Sequence, residues 1–231
     1  MKKLSFILVA SGLALAGCAS TNSYLAARQT TVEMYHIFDI KTNANTATVA
    51  KAAADGLSQN TNEVTSNMPL QLGKTVSDVP GRFTLQDMTA QMRGTGMGAL
   101  MQMASMQNGG VGLKVANCDG AVWTSRAQRR VSGSNNLTMY NCLYRYKDGY
   151  HLNTYAVFQK EEGGLYQVSR NVAYSMVGTP EEWVNKTIVD MVRTIEVNAK
   201  AKIAYVEGQP EIGNLPWVDK VDTNTKVSKS N

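Results

Sequence analysis

The second half of this chain constrains its fold most, because a run of strand-forming segments there ends in a strongly capped helix. Val111–Asn117, Ala121–Arg126, Leu137–Lys147, Tyr150–Lys160 and Leu165–Val177 alternate in polarity or are rich in β-branched and aromatic residues. Asp148-Gly149 and Gly163-Gly164 separate the last three segments, and connections this short join antiparallel neighbours. Thr179-Pro180-Glu181-Glu182 then opens a helix, with Thr179 as N-cap, Pro180 in the first turn and Glu182 as capping-box partner. Val184, Ile188, Met191, Val192, Ile195 and Ala199 recur on one face of that helix. Such a face needs a sheet to lie on, and the meander before it supplies one.

The first half adds a β-α-β portion. Val32, Met34, Phe38 and Ile40 share one face of a strand, with His36 among them. Asn45 or Thr46 starts an alanine-rich helix to about Gln59, turning Val49, Ala52, Ala53, Gly56 and Leu57 inward. Thr61–Leu70 and Arg82–Gln86 read as strands, punctuated by Pro80-Gly81. Six of the twelve methionines fall between Met88 and Met106, where Gly94, Gly96 and Gly98 make a hinge between two short helices. The expected class is α+β: an antiparallel β-meander packed on a long C-terminal helix. This order of elements is similar to that of helix-grip domains, a shape shared by lipid-carrying modules and by lipoproteins of outer-membrane assembly machinery.

The chain opens with Lys2 and Lys3, an apolar run from Leu4 to Ala16, and Leu15-Ala16-Gly17-Cys18. The run is shorter than the ~20 residues that span a bilayer as a helix, and the layout is that of a cleaved export signal. Leu15-Ala16-Gly17-Cys18 resembles the lipobox of bacterial lipoproteins. The resemblance implies a diacylglycerol thioether on Cys18, cleavage just before it, and acylation, palmitate for example, of the new amine. In that family an aspartate after the cysteine commonly marks inner-membrane retention. Ala19 and Ser20 stand here instead, so the expected place is the outer membrane, facing the periplasm.

This divides the chain into a signal (1–17), a lipidated cysteine and tether (18–31), one α+β domain (32–207, with a possible subdivision near 109–110) and a polar tail (208–231). Removing the first 17 of 231 residues takes Lys2 and Lys3 away and lowers the formal net charge from +5 to +3. A balance this mild, with no dense basic stripe, argues against nucleic acid and is compatible with anionic lipid head groups.

With Cys18 assigned to lipidation, Cys118 and Cys142 remain as a disulfide in an oxidising compartment. No Cys-x-x-Cys is present, so the bridge reads as a staple. The histidines, His36 and His151, lack further ligands at metal-binding spacing, so no metal or cofactor is expected. No Gly-x-Ser-x-Gly elbow occurs, and Glu161-Glu162 and Glu181-Glu182 suit a turn and a helix start. Gly94-x-Gly96-x-Gly98 lacks the rest of a phosphate-binding loop. An enzyme is therefore not expected.

Three surfaces stand as candidates for a ligand or partner. Met97, Met101, Met103 and Met106 suit core filling, an adaptable flap, or soft-metal capture of copper. Arg126, Arg129 and Arg130 form the densest basic group, expected at the tip of a strand connection. Tyr140, Tyr144 and Tyr146 share one strand face, opposite Met139 and Leu143, as cross-strand stabilisers or an aromatic surface. The expected function is a non-enzymatic envelope interaction or assembly component holding a protein partner. The alternative is a carrier for a lipid or other apolar ligand, held under Leu100, Met101 and Met191.

Overall fold

A computed structural model describes residues 28–71, 73, 75–88, 96, 98–100, 114–129, 137–163, 171 and 178–212. Cys18 with its signal and the tether through Ala27, Met97, Met101, Met103, Met106, Arg130, the expected strand over 165–177 apart from Asn171, and the tail from 213 lie outside the described residues, while 28–31, expected as tether, are already strand. The elements are β1 (Arg28–Lys41), α1 (Thr46–Ser58), β2 (Glu63–Asn67), β3 (Thr84–Asp87), β4 (Lys114–Asn117), β5 (Trp123–Arg129), β6 (Leu137–Tyr146), β7 (Gly149–Glu162), α2 (Pro180–Asn198) and β8 (Lys202–Gln209). Six strands form one sheet in the order β2-β5-β6-β7-β1-β8, antiparallel throughout, and β3 pairs with β4 in a separate two-stranded sheet. Among the described residues no helix is long and apolar enough to cross a membrane.

The class is α+β with an antiparallel sheet and a C-terminal helix on it, as the sequence implies. The route differs in two places. β4 does not join the meander, because β2 occupies the seat beside β5. β1, first in the chain, sits inside the sheet between β7 and β8. That position explains why Met34, Ile37, Phe38 and Ile40 are all buried, although Ile37 points away from the other three.

The caps form as their residues dictate. Asn45 accepts from the Thr48 amide at 2.9 Å. Thr179 accepts from the Glu182 amide at 3.2 Å, and Glu182 accepts from the Thr179 amide at 2.8 Å, closing the capping box. In the β6–β7 hairpin Tyr146 pairs with Gly149, so Lys147 and Asp148 are the turn residues. Gly149 instead opens β7, where a side chain would run into the Ile40 carbonyl oxygen. Lys200 ends α2 at φ +48°, and the Ala201 amide donates to the Glu196 carbonyl at 3.0 Å, turning the chain straight into β8.

Both helices lie on one face of the sheet, side by side. Val49, Ala53 and Leu57 from α1 and Val184, Ile188, Met191 and Ile195 from α2 close over Trp123, Met139, Leu143, Leu152 and Phe158. Gly56 sets how closely the helices approach. A Cβ there would lie 2.6 Å from the Met191 Cα and 3.0 Å from the Asp190 carbonyl oxygen, both backbone atoms that cannot rotate away. Glycine inside a helix ordinarily costs about 1 kcal/mol relative to alanine, yet Gly56→Ala should destabilise this domain, by about 2 kcal/mol as overpacking does. A urea titration giving a higher midpoint for the variant would sink this account.

One row across the helix-facing side is polar. Ser125, Asn141, Thr154 and His36 are neighbours in register on β5, β6, β7 and β1, and all four are buried. Asn141 Nδ2 donates to Ser125 Oγ at 3.0 Å and Thr154 Oγ1 to the His36 carbonyl at 3.1 Å.

The other face is covered by the 75–88 segment and β4. Phe83 packs against Tyr35 and Tyr155, with ring centres 6.3 and 6.0 Å apart. Lys114 pairs with Glu33 at 2.9 Å, Arg82 pairs with Glu207, and Gly81 lies against the Tyr144 ring. Cys118, just past β4, is disulfide-bonded to Cys142 on β6, with Cα atoms 5.5 Å apart. Ala121, Cys142, Tyr144, Phe83 and Cys118 make a second, small core under this cover.

Candidate functional site

The open concavities lie around one turn-rich segment. Residues 66–71 leave the edge strand β2 and cross the end of the sheet as a ridge, with a groove on either side. The first groove, about 590 Å³, runs between β2, β5 and the disulfide-bearing 116–121 segment. Thr65, Asn67, Gln71, Asn117, Arg126 and Tyr140 are among its lining residues, so hydroxyls, amides and one guanidinium dominate its chemistry. Asp119 stands on its wall. The second, about 500 Å³, is lined by Met68, Val76 and Val122 with Arg145 on one side. Pro69, Gln71 and Gly120 border both.

Register explains how the first groove is built. Thr65, Arg126, Tyr140, Tyr155 and Tyr35 form one line across β2, β5, β6, β7 and β1. Tyr140 stacks on Tyr155 at 6.2 Å and carries the Arg126 guanidinium 5.9 Å over its ring. An aromatic ladder anchored beneath Phe83 thus ends in the groove as a positioned cation. Burial pushes the Tyr155 phenol up, with the Glu33 carboxylate adding to the effect, so it stays neutral.

A second cluster sits at the far end of β1. Tyr146 donates to Asp39 at 2.5 Å, Lys41 reaches both Tyr146 and Asp39, and His151 Nε2 lies 3.9 Å from the same carboxylate. Burial alone would lower the Lys41 ammonium, but Tyr146 and Asp39 hold it above its usual range. Burial and Asp39 push the Tyr146 phenol up. Burial, helped by Lys41 and Arg82, pulls His151 down against the pull of Asp39. The Lys41 ammonium, the neutral Tyr146 phenol and the neutral His151 imidazole thus gather around Asp39, an arrangement that ties β1 to the hairpin. Among the described residues no three His, Cys, Asp or Glu side chains come together as a metal site.

The residues singled out in the sequence separate. Arg126 and Arg129 lie within β5 and not at a loop tip, and three positions of alternation put them on opposite faces. Arg129 stacks 4.5 Å over Trp183 of α2, a packing role. The tyrosine face of β6 is not an open aromatic surface: Tyr144 and Tyr146 are buried, Tyr140 is half-buried, and burial raises the Tyr144 phenol to about 12. Met191 is fully buried in the helix–sheet core while Leu100 is 64% exposed. Arg145 and the apolar ridge were not singled out. Met68, Leu70, Val76 and Val79, large apolar residues set close to Pro69 and Pro80, were the available signal, hidden in part because Thr61–Leu70 reads as one strand whereas β2 ends at Asn67. No protein-family model, curated protein or solved structure matches this chain.

Proposed function

We propose that this chain is a lipid-anchored protein of the cell envelope, held at the outer membrane through Cys18 and facing the periplasm, where it holds a protein partner without catalysis. The observation that carries the reading is the ridge between two grooves. Leu70, Val76 and Met68 are 85%, 51% and 47% exposed there, whereas the helix–sheet interior is filled by large apolar side chains. An exposed apolar group rimmed by polar residues marks an interaction surface. A carrier of apolar ligands draws no such support, because Met191 is packed in the core and Leu100 is turned to solvent.

Two measurements test the two halves of this reading. Wild-type protein should sediment with the outer membrane, and Cys18→Ser should leave an unprocessed precursor without lipid; a Cys18→Ser chain that is still cut and still sediments with that membrane would end the anchor assignment. A photoreactive amino acid at Leu70 or Val76 should crosslink in living cells to one or a few defined envelope proteins, while the same group at exposed Val197 on α2 should not. Equal yields at all three positions would remove the ridge as the binding surface.

A further inference from the structure

We propose that the two grooves form one docking surface for an acidic, extended segment of a protein partner. The segment lies across the 66–71 ridge with carboxylates on Arg126 and Arg145 and apolar side chains on Met68, Leu70 and Val76. This rests on the partner-binding reading above and adds the chemistry of what is held.

The two arginines are alike in an uncommon way. Arg126 lies 5.9 Å over the Tyr140 ring and Arg145 lies 5.8 Å over the Tyr150 ring, whose hydroxyl accepts from Arg145 Nη1 at 3.5 Å. Both are exposed, and neither has a carboxylate within ion-pair distance among the described residues. The neighbouring cations do have one: Lys41 with Asp39, Arg82 with Glu207, Lys147 with Asp78. Each groove therefore offers an oriented guanidinium with no carboxylate partner among the described residues, a group suited to a carboxylate. Aromatic support lowers the entropy cost of using it.

The spacing favours an extended chain. Arg126 pairs with Tyr140, and Arg145 lies five residues further along β6, an odd number that puts the two arginines on opposite faces of the sheet, one in each groove. At ~3.4 Å per residue their backbone positions are about 17 Å apart along the strand, and the path over the ridge from one face to the other is longer, so a segment that contacts both is extended over about ten residues or more. The ridge between them presents apolar side chains to the middle of such a segment.

Its place in the fold favours a protein over the anchoring membrane. Arg145 pairs with Tyr150, and Tyr150 with Ile40, so the ridge lies at the Lys41 end of β1. The chain from Cys18 enters at Arg28, the other end of this 14-residue strand. That separation is about 43 Å, on a surface of two concave grooves and not a flat face. Partner residues fit there, and the proposed anchor joins the domain at the opposite end of the strand.

The test uses the whole mature chain, purified without lipid, and a fluorescent peptide of about twelve residues with glutamate at both ends and leucine and serine between. Fluorescence anisotropy should show binding that weakens as salt rises, and the glutamine-for-glutamate peptide should bind at least about tenfold more weakly. Arg126→Gln and Arg145→Gln should each cost about fivefold, and more together, while Arg82→Gln should change little. Both side chains are exposed, so unchanged circular dichroism is expected in the variants.

Absence of binding by the acidic peptide would overturn the proposal. So would equal affinity for the neutral peptide, or indifference to both arginines. Arginine-dependent binding to phosphatidylglycerol vesicles in place of the peptide would overturn it in favour of a lipid surface. If crosslinks from Leu70 reach a protein in cells but the acidic peptide fails, this inference falls and the partner-binding reading stands. If the crosslinks themselves fail, that reading falls.

Discussion

Replacing Cys118 and Cys142 together by serine should cost the domain about 3 kcal/mol, from the loop entropy restored to the unfolded chain. The bridge spans a sequence separation of 24 residues and joins the covering layer to the central strand β6. Its loss should also be felt unevenly. The helix-side core, with Met139, Leu143, Ile188 and Met191, is large and independent of the bridge. Among the described residues the cover has a small core of its own, the Phe83 ring contacts, the pairs Lys114–Glu33, Arg82–Glu207 and Lys147–Asp78 near the surface, and the Ser77–Tyr146 bridge. Hydrogen exchange should therefore quicken first in β3 and β4 and at Phe83, while β1, β6 and β7 keep most of their protection. Denaturant unfolding of the oxidised and double-serine proteins gives the global loss, and exchange gives its distribution. Uniform loss of protection, or a cover as well protected as β6, would show that the bridge is not what holds this layer down.

The sequence made α1 and α2 legible because each carries a complete local code. Asn45 and Thr179 cap their helices, and the apolar positions of both recur at helical spacing. β6 and β7 were legible for the same reason, with a turn between two alternating runs. What stayed hidden depends on long-range choices. Nothing local says that β2 and not β4 pairs with β5, since both are short and polar; the outcome turns on Cys118, Lys114 and Phe83 finding partners on the far side of the sheet.

β8 was hidden by its entry and its placement. Lys200 takes the left-handed position where glycine usually announces a helix end, and the strand is only half-buried. The tyrosines of β6 were read in the right register, but a cover built from 75–88 and β4 cannot be inferred from β6 itself. The grooves were least legible. Arg126 and Arg145 are 19 positions apart in sequence and are joined only by the β5–β6 register and the passage of 66–71. A lone arginine in a strand carries no signal until its unpaired state and its stacking partner are known.

His36 should make this protein lose stability in mild acid. It is fully buried in the polar row on the helix side of β1, between Met34 and Phe38. Its Nδ1 is hydrogen-bonded to the Tyr205 hydroxyl at 3.3 Å, and its Nε2 has no hydrogen-bond partner among the described residues. Burial without a compensating carboxylate lowers its pKa to about 4. In the unfolded chain the same imidazole titrates near its ordinary value of about 6.5.

Above that value both states are neutral and His36 contributes no pH dependence. As pH falls from about 6.5 toward about 4, only the unfolded state takes up the proton, so folding stability declines. The slope approaches ~1.4 kcal/mol per pH unit, and the full loss is about 3 kcal/mol. Below the folded pKa both states are protonated and the loss stops growing. Carboxylates titrate over part of this window, so the informative quantity is the difference between the parent and His36→Gln. Denaturant midpoints at pH 7, 5.5 and 4.5 should converge as pH falls, the parent losing more than the variant. His151, half-buried beside Asp39, is lowered by burial against an opposing carboxylate, so His151→Gln should follow the parent more closely. If parent and His36→Gln stay parallel across the window, the buried imidazole is not the source of acid sensitivity, and the unpartnered Nε2 must be met by a group that holds the proton.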